Sequence, residues 1–247
     1  MASYYDPEVG LLGGTKSDYT FEFAERQVRQ GFVRKVLGIL GLQLLLTAGV
    51  TAAFVLHEPL RAYVYSAQWP FWTAFGVSLA LVLALGISET LRRSHPWNLL
   101  ALGAFTTCEA LLVGTVSAAF DAKVVLLAVG CTAVVVLGCA AFATQSRVDL
   151  TLSSGALLSL LLATISVSLL NLWIRAAWLT ALLAGLGVFL FSMYLVFDLQ
   201  LLMGGHTLSL SADEYVFAAL NLYLDIINIF LYLLQIISQI MGQGDNN

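Results

Sequence analysis

Two aspartates inside otherwise apolar stretches are the residues whose type and position most directly indicate chemistry. Asp225 lies within LNLYLDIINIFLYLLQ, and Asp198 ends the apolar run FLFSMYLVFD. An ionised carboxylate at the centre of a membrane span costs roughly 2.5 to 3.5 kcal/mol, so it is expected to face a cavity or a partner. If the two carboxyls meet, a low-dielectric interior cannot hold both charges cheaply, and the pair shares a proton or binds a cation. The two residues therefore predict a pH-sensitive cation site.

Whether the two carboxyls can meet depends on their depth. Asp225 lies about eleven residues, or about 16 Å, beyond the start of its helix. Asp198 stands shortly before the loop glycines, so simple counting places it at a shallower depth. The meeting therefore requires a sixth helix that is longer or more tilted than its hydropathy suggests.

Polar residues recur along one face of the helix that carries Asp225. Their spacing of i, i+4, i+7, i+11, i+14 and i+18 keeps them within about 40° of one line. The stripe consists of Asn221, Asp225, Asn228, Tyr232, Gln235 and Gln239. Because hydrocarbon offers no water to satisfy amides, the stripe should face the bundle interior, with Asn221 and Asn228 among its lining residues. This last helix is therefore predicted to be central.

Two further charged residues are candidates for the interior. Glu109 lies in the middle of the third apolar run, where it either lines a cation path or hydrogen-bonds a neighbouring helix as a protonated carboxyl. Arg92 ends the second run, where it determines topology or pairs with an interior acid. The adjacent Arg93 is not expected to share that face.

The composition identifies the class of protein that must position these residues. Of 247 residues, 60% are hydrophobic and only 11% are charged, with a mean hydropathy of +0.89. A soluble domain with this composition would have too little polar surface to cover its core, so we predict a membrane protein in contact with the lipid bilayer. No basic patch indicates nucleic acid. The three cysteines, in apolar runs without paired or metal-ligand spacing, are interpreted as small buried hydrophobes.

Seven apolar windows are long enough to cross a membrane, which takes about 20 residues. They are Val36 to Leu56, Pro70 to Ile87, Asn98 to Phe120, Val124 to Thr144, Gly155 to Trp173, Ala176 to Met203, and Tyr215 to Met241. The predicted fold is an all-α membrane protein, a seven-transmembrane-helix bundle with the last helix central. We predict a polar cytosolic tail over residues 1–33, the transmembrane domain over 34–241 and a short tail over 242–247.

Lysine and arginine counts predict the orientation. Eight of the eleven lie on the side of the N-terminus and three on the other, which places the N-terminus in the cytosol. An odd number of spans then leaves the C-terminus on the far side, unless the last segment is re-entrant and both ends are cytosolic.

The loop before the seventh span carries its own signals. Gly204 and Gly205 are predicted to end a helix, and Ser211 with Glu214 matches a capping box that starts the next one. Asp213 and Glu214 suit the positive end of that helix, or alternatively a channel mouth.

Enzymatic alternatives lack their motifs. The aspartates stand in VFD and LYLD, without the GxGD and PAL motifs of intramembrane aspartyl proteases. A serine-type intramembrane protease needs a GxSx turn and a membrane-embedded histidine, whereas His57, His95 and His206 all fall in loops. His57 is on the opposite side from the other two, which argues against a zinc site. We therefore expect no enzymatic activity and no bound cofactor.

Three segments resemble a known family. FDLQLLMGG, SADEYVFAALNLYLDIINIFLYLLQII and ERQVRQGFVRKVLGILGLQLLLTAGV closely resemble the transmembrane Bax-inhibitor-motif (lifeguard) family, nearest its Golgi anti-apoptotic branch. The resemblance runs from about Arg26 to Ile240. It implies a seven-helix bundle with the last helix in the centre.

The resemblance also implies a function. Family members are calcium leaks of internal membranes, controlled by pH through an acidic pair whose positions Asp198 and Asp225 occupy. Arg92 matches a basic residue that latches to this pair in the closed state, and Asp213 matches a carboxylate that affects conduction, although the loop is longer here. The expected function is a pH-sensitive calcium leak channel of the Golgi or endoplasmic reticulum that suppresses apoptosis. The alternatives are a scaffold that inhibits cell death through regulator proteins and a calcium/proton exchanger.

Overall fold

The chain folds into helices in every part that the structure describes. The computed structural model describes residues 16–145, 148–204 and 210–244, so Arg147, Gly205, His206 and both chain ends lie outside it. Within these ranges there are nine α-helices and two short 3₁₀ turns, and no strand. The α-helices are α1 (Lys16–Leu56), α2 (Glu58–Ser66), α3 (Trp69–Ile87), α4 (Glu89–Arg93), α5 (Trp97–Ser117), α6 (Ala122–Gln145), α7 (Ser154–Ile174), α8 (Ala177–Met203) and α9 (Tyr215–Gly244).

Seven of these helices are long and apolar enough to cross a membrane, namely all except the short α2 and α4. The apolar span of α1 is Gln27–Leu56 and that of α9 is Tyr215–Gly242. The predicted all-α, seven-span class is therefore confirmed. The α1 helix is continuous from Lys16 and therefore crosses the predicted boundary between the tail and the membrane domain. The charged side chains near this boundary do not end the helix, because charged residues are compatible with helical structure.

Helix α9 is the centre of the bundle, as its polar stripe predicted. It packs against α8 most extensively, and also against α6, α1, α5 and α4. Its apolar span has the largest buried share of the seven. The outer helices instead expose large apolar residues such as Leu126, Leu162 and Trp173, as expected for a surface covered by lipid.

The same outer surface corrects one expectation about the cysteines. All three are free, and Cys108 and Cys139 are half-buried, but Cys131 is exposed on the outer face of α6. An apolar run does not distinguish a core position from a lipid-facing one, because both are apolar in a membrane bundle.

Arg29 and Gly204 hold the end of α8 in place. Gly204 has φ +70°, a left-handed conformation that suits glycine, and it ends α8 as predicted. Arg29 on α1 donates from Nη1 to the carbonyl oxygens of Leu202 (3.4 Å) and Leu210 (2.8 Å). A cation at these carbonyls complements the negative end of the α8 dipole and ties the loop to α1.

Candidate functional site

Helices α8 and α9 bring the two predicted aspartates together. The carboxyls of Asp198 and Asp225 are close neighbours. Only 7% of Asp198 and 5% of Asp225 is exposed. Two neighbouring carboxyls in a low-dielectric interior cannot hold both charges cheaply, so this geometry favours a shared proton. We call these two residues the acid pair.

A close approach of α8 and α9 accompanies the meeting of the two aspartates. Gly187, eleven residues before Asp198, lies beneath Tyr232, seven residues after Asp225. The two helices therefore run antiparallel and in contact on this side of the acid pair, and the carboxyls meet although counting from the loop placed Asp198 at a shallower depth.

One oxygen of the acid pair lacks a hydrogen-bond donor. Oδ2 of Asp225 is buried and has no hydrogen-bond partner among the described residues. A buried acceptor without a donor is unfavourable by about 1 to 3 kcal/mol, which a proton or a passing cation would relieve. Tyr194, on the turn of α8 before Asp198, and Cys139 on α6 are further ionisable side chains beside the pair.

The acid pair would supply only part of a calcium site. Calcium takes six to eight oxygen ligands, and no group of three or more His, Cys, Asp or Glu side chains among the described residues is arranged to hold a metal. Calcium binding at the two aspartates stays a prediction.

The polar stripe lies along the seam between α9 and α8. Tyr232 stacks on Phe191 of α8, with ring centroids 5.9 Å apart. Asn221 and Asn228 are half-buried on the same face as Asp225, and the amide of Asn228 donates to the Leu224 carbonyl of its own helix (2.8 Å). The stripe thus lines the α8 side of the central helix, with the acid pair as its most buried part.

Arg92 lies at the start of α9, away from the acid pair. Its guanidinium contacts Glu214 (3.6 Å) and the more distant Glu89 (3.9 Å), and it lies over the ring of Phe217 (4.7 Å). Within the described residues it makes no ion pair with either aspartate. Glu214 is eleven residues before Asp225, or about 16 Å along the helix, so the latch to the acid pair stays a prediction.

Glu214 pairs with both arginines of α4, which the sequence analysis did not predict. Its carboxylate lies 3.4 Å from Arg93 as well as near Arg92. The two adjacent arginines were expected to point to different faces, but both reach Glu214 because their side chains are long and α4 has only five residues. The predicted capping box is wrong, since the side chain of Ser211 caps no backbone N–H. The Glu214 carboxylate pairs with the arginines instead, while the neighbouring Asp213 is exposed.

Glu109 forms a second polar centre, apart from the acid pair. It hydrogen-bonds Ser78 of α3, and it lies on the side of α9 that carries Tyr223. The phenol of Tyr223 shares a hydrogen bond with Thr47 of α1 (2.8 Å). The structure therefore brings Asp198 and Asp225 together and leaves Glu109, Arg92 and Asp213 at other places.

Fold and site together define a class of protein: a seven-span helical membrane protein whose central helix carries a buried carboxyl paired with its neighbour. The family described as "Inhibitor of apoptosis-promoting Bax1" matches residues 29–244, and the chain belongs to this Bax inhibitor (lifeguard) family. The resemblance noted in the sequence is thus confirmed.

Named relatives agree with this assignment. The chain is 34% identical to Protein lifeguard 3 of Homo sapiens over 230 residues, which cover 92% of the chain and 72% of that protein. It is 32% identical to Protein lifeguard 3 of Mus musculus over 228 residues, covering 91% and 74%. To Protein lifeguard 4 of Mus musculus it is 36% identical over 217 residues, covering 88% of each chain.

Proposed function

We propose that this protein is a pH-sensitive calcium leak channel of intracellular membranes, which modulates stored calcium and suppresses apoptosis. The observation that carries the proposal is the acid pair, two buried neighbouring carboxyls at the seam between the central helix and α8. The suppression of apoptosis follows the description of the family.

The chemistry of the pair supports a pH-dependent cation path. With one shared proton, the pair is held together by a hydrogen bond and carries at most one negative charge. When that proton leaves, two carboxylates in a low-dielectric interior repel each other and attract a divalent cation. Because the two groups stand on different helices, the change in charge acts on the packing of α8 against α9. Proton occupancy is thereby coupled to the position of the central helix.

The proposal includes an orientation and a location. The excess of lysine and arginine in the N-terminal part of α1 and around α4 supports a cytosolic N-terminus. We propose the Golgi or endoplasmic reticulum as the membrane. Arg92 and its contact with Glu214 then lie at the cytosolic end of the bundle.

The second candidate function is a membrane scaffold that inhibits cell death through protein partners. It is favoured by the near-complete burial of both aspartates, which is also what a purely structural interhelical hydrogen bond would show. Such bonds contribute about 0.6 to 2 kcal/mol in membranes, enough for the pair to serve only as bundle contact.

Calcium entry into vesicles distinguishes these functions. Purified protein in sealed vesicles containing a calcium dye, without any partner protein, should pass calcium down its gradient with equal pH on both sides. Protein-free vesicles give the background rate. A rate equal to background would contradict the channel and favour the scaffold, whereas entry that requires an opposing proton gradient would identify an exchanger.

A further inference from the structure

Glu109 lies on the core-facing side of α5 and yet remains partly accessible. Asn98, Leu102, Phe105, Glu109 and Val113 share one face by their spacing of i, i+4, i+7, i+11 and i+15. The other four are buried, with exposures of 0 to 2%. Glu109 alone is half-buried. Glu109 is therefore the one member of this face whose side chain is partly accessible.

Helix α3 covers Glu109 from one side. It supplies Ser78, the hydrogen-bond partner of Glu109. It packs against α5 and α4 and, among the described residues, makes no extensive contact with α9 or α6. Glu109 is therefore held between α5 and a helix at the edge of the bundle.

The wall of α1 on this side of α9 is polar. Gln43, Thr47 and Thr51 are spaced i, i+4 and i+8 on α1, and all three are buried. The Gln43 amide donates to Thr106 (2.8 Å), but its Oε1 and the hydroxyl of Thr51 have no partner among the described residues. Buried polar atoms of this kind are usually satisfied by water. The inner surface near Glu109 is thus suited to hold water.

Glu109 and the acid pair flank the central helix at a similar depth. Tyr223, beside Glu109, and Asp225 are two residues apart on α9, which places them about 200° apart around the helix. The acid pair is sealed, whereas Glu109 is accessible. The two centres therefore differ in how readily water reaches them.

We propose that Glu109 is a proton-binding site in its own right, loaded by water that reaches its accessible side and separate from the acid pair. The carboxylate takes one proton from water, and the resulting carboxylic acid keeps its hydrogen bond with Ser78. A single carboxylate among hydroxyls and an amide binds a proton rather than calcium, which needs more oxygen ligands. An uncharged carboxyl also avoids the cost of a charge at mid-membrane depth.

The surroundings leave Glu109 as the group that titrates in this centre. The ionisable side chains beside it are Cys108 on α5 and Tyr223 on α9. The facing residues named above on α1 and α3 are neutral. The arginines of α4 are held at Glu214. The titration of Glu109 is therefore not masked by a nearby opposite charge.

Infrared titration of the protein in lipid tests this proposal without measuring calcium. We expect a carboxyl C=O band of Glu109 that grows as pH falls and shifts promptly in D₂O. This band should be completely lost in Glu109→Gln. It should be kept in Asp225→Asn and in the control Glu58→Gln, because Glu58 is an exposed residue. If Glu109→Gln does not fold, Ser78→Ala gives the assignment, because it removes the hydrogen-bond partner of Glu109 and should shift the frequency of the same band without removing it. Absence of a Glu109 band, a band independent of pH, or a band that does not exchange with D₂O would each overturn the proposal. Because the readout needs no calcium flux, its failure is distinguishable from failure of the channel function.

Discussion

Asp225→Asn is expected to remove the pH dependence of calcium flux while leaving the bundle folded. Asparagine has nearly the same shape as aspartate. Its amide N–H can donate a hydrogen bond to the Asp198 carboxylate, and this bond needs no titratable proton. The variant therefore keeps an interhelical hydrogen bond but loses the group that exchanges a proton with its partner. In the wild type, a one-proton step changes flux by up to about tenfold per pH unit across its titration.

The measurement is calcium entry into vesicles at a series of pH values, kept equal inside and outside. Asp121→Asn is the matched control, because Asp121 is exposed between α5 and α6, away from the seam between α8 and α9. It should keep the wild-type profile. If Asp225→Asn also kept that profile, the pair would be a structural contact and the scaffold function would be favoured.

Gly187→Val is expected to destabilise the protein by about 1 to 3 kcal/mol, the usual effect of overpacking a close contact. A Cβ at position 187 would lie 2.6 Å from ring carbons of Tyr232. That ring cannot move freely, because it stacks on Phe191. The added side chain must push α8 away from the central helix, and this also separates the two carboxyls of the acid pair.

The free energy of unfolding, measured in mixed micelles with an increasing fraction of a denaturing detergent, gives the size of this effect. Gly185→Val is the control on the same helix, since a Cβ there meets no atom within 4 Å. Tyr232→Ala in the Gly187→Val background should recover most of the lost stability by making room for the new side chain. Equal destabilisation by the two valine variants would show that the close approach of α8 and α9 is not what Gly187 provides.

The seven spans and the central helix could be predicted because both depend on local patterns. Membrane spans need long apolar runs, and a polar stripe on one of them must face inward. The meeting of Asp198 with Asp225 was less certain from sequence. It depends on which residues of α8 and α9 face each other across the seam, and no local signal encodes that pairing.

The polar side of α1 was missed altogether, although a signal for it was present. Gln43, Thr47 and Thr51 recur every four residues, but threonine barely lowers hydropathy, so the window remained an ordinary apolar span. The role of Glu214 was hidden for a different reason. Its spacing from Ser211 matched a capping box, whereas its partners Arg92 and Arg93 are distant in sequence and are brought to it only by the fold.

The central claim is that Asp198 and Asp225 act as one proton-sharing unit that controls calcium passage. Its most direct test compares calcium flux against pH for the wild type, Asp198→Asn, Asp225→Asn and the double variant in the same vesicles. If the pair shares one proton, removing either carboxyl removes the whole effect, so all three variants should give the same pH-independent flux. Additive effects, with the double variant changed by the combined effect of the two single variants, would show two independent groups and contradict the claim.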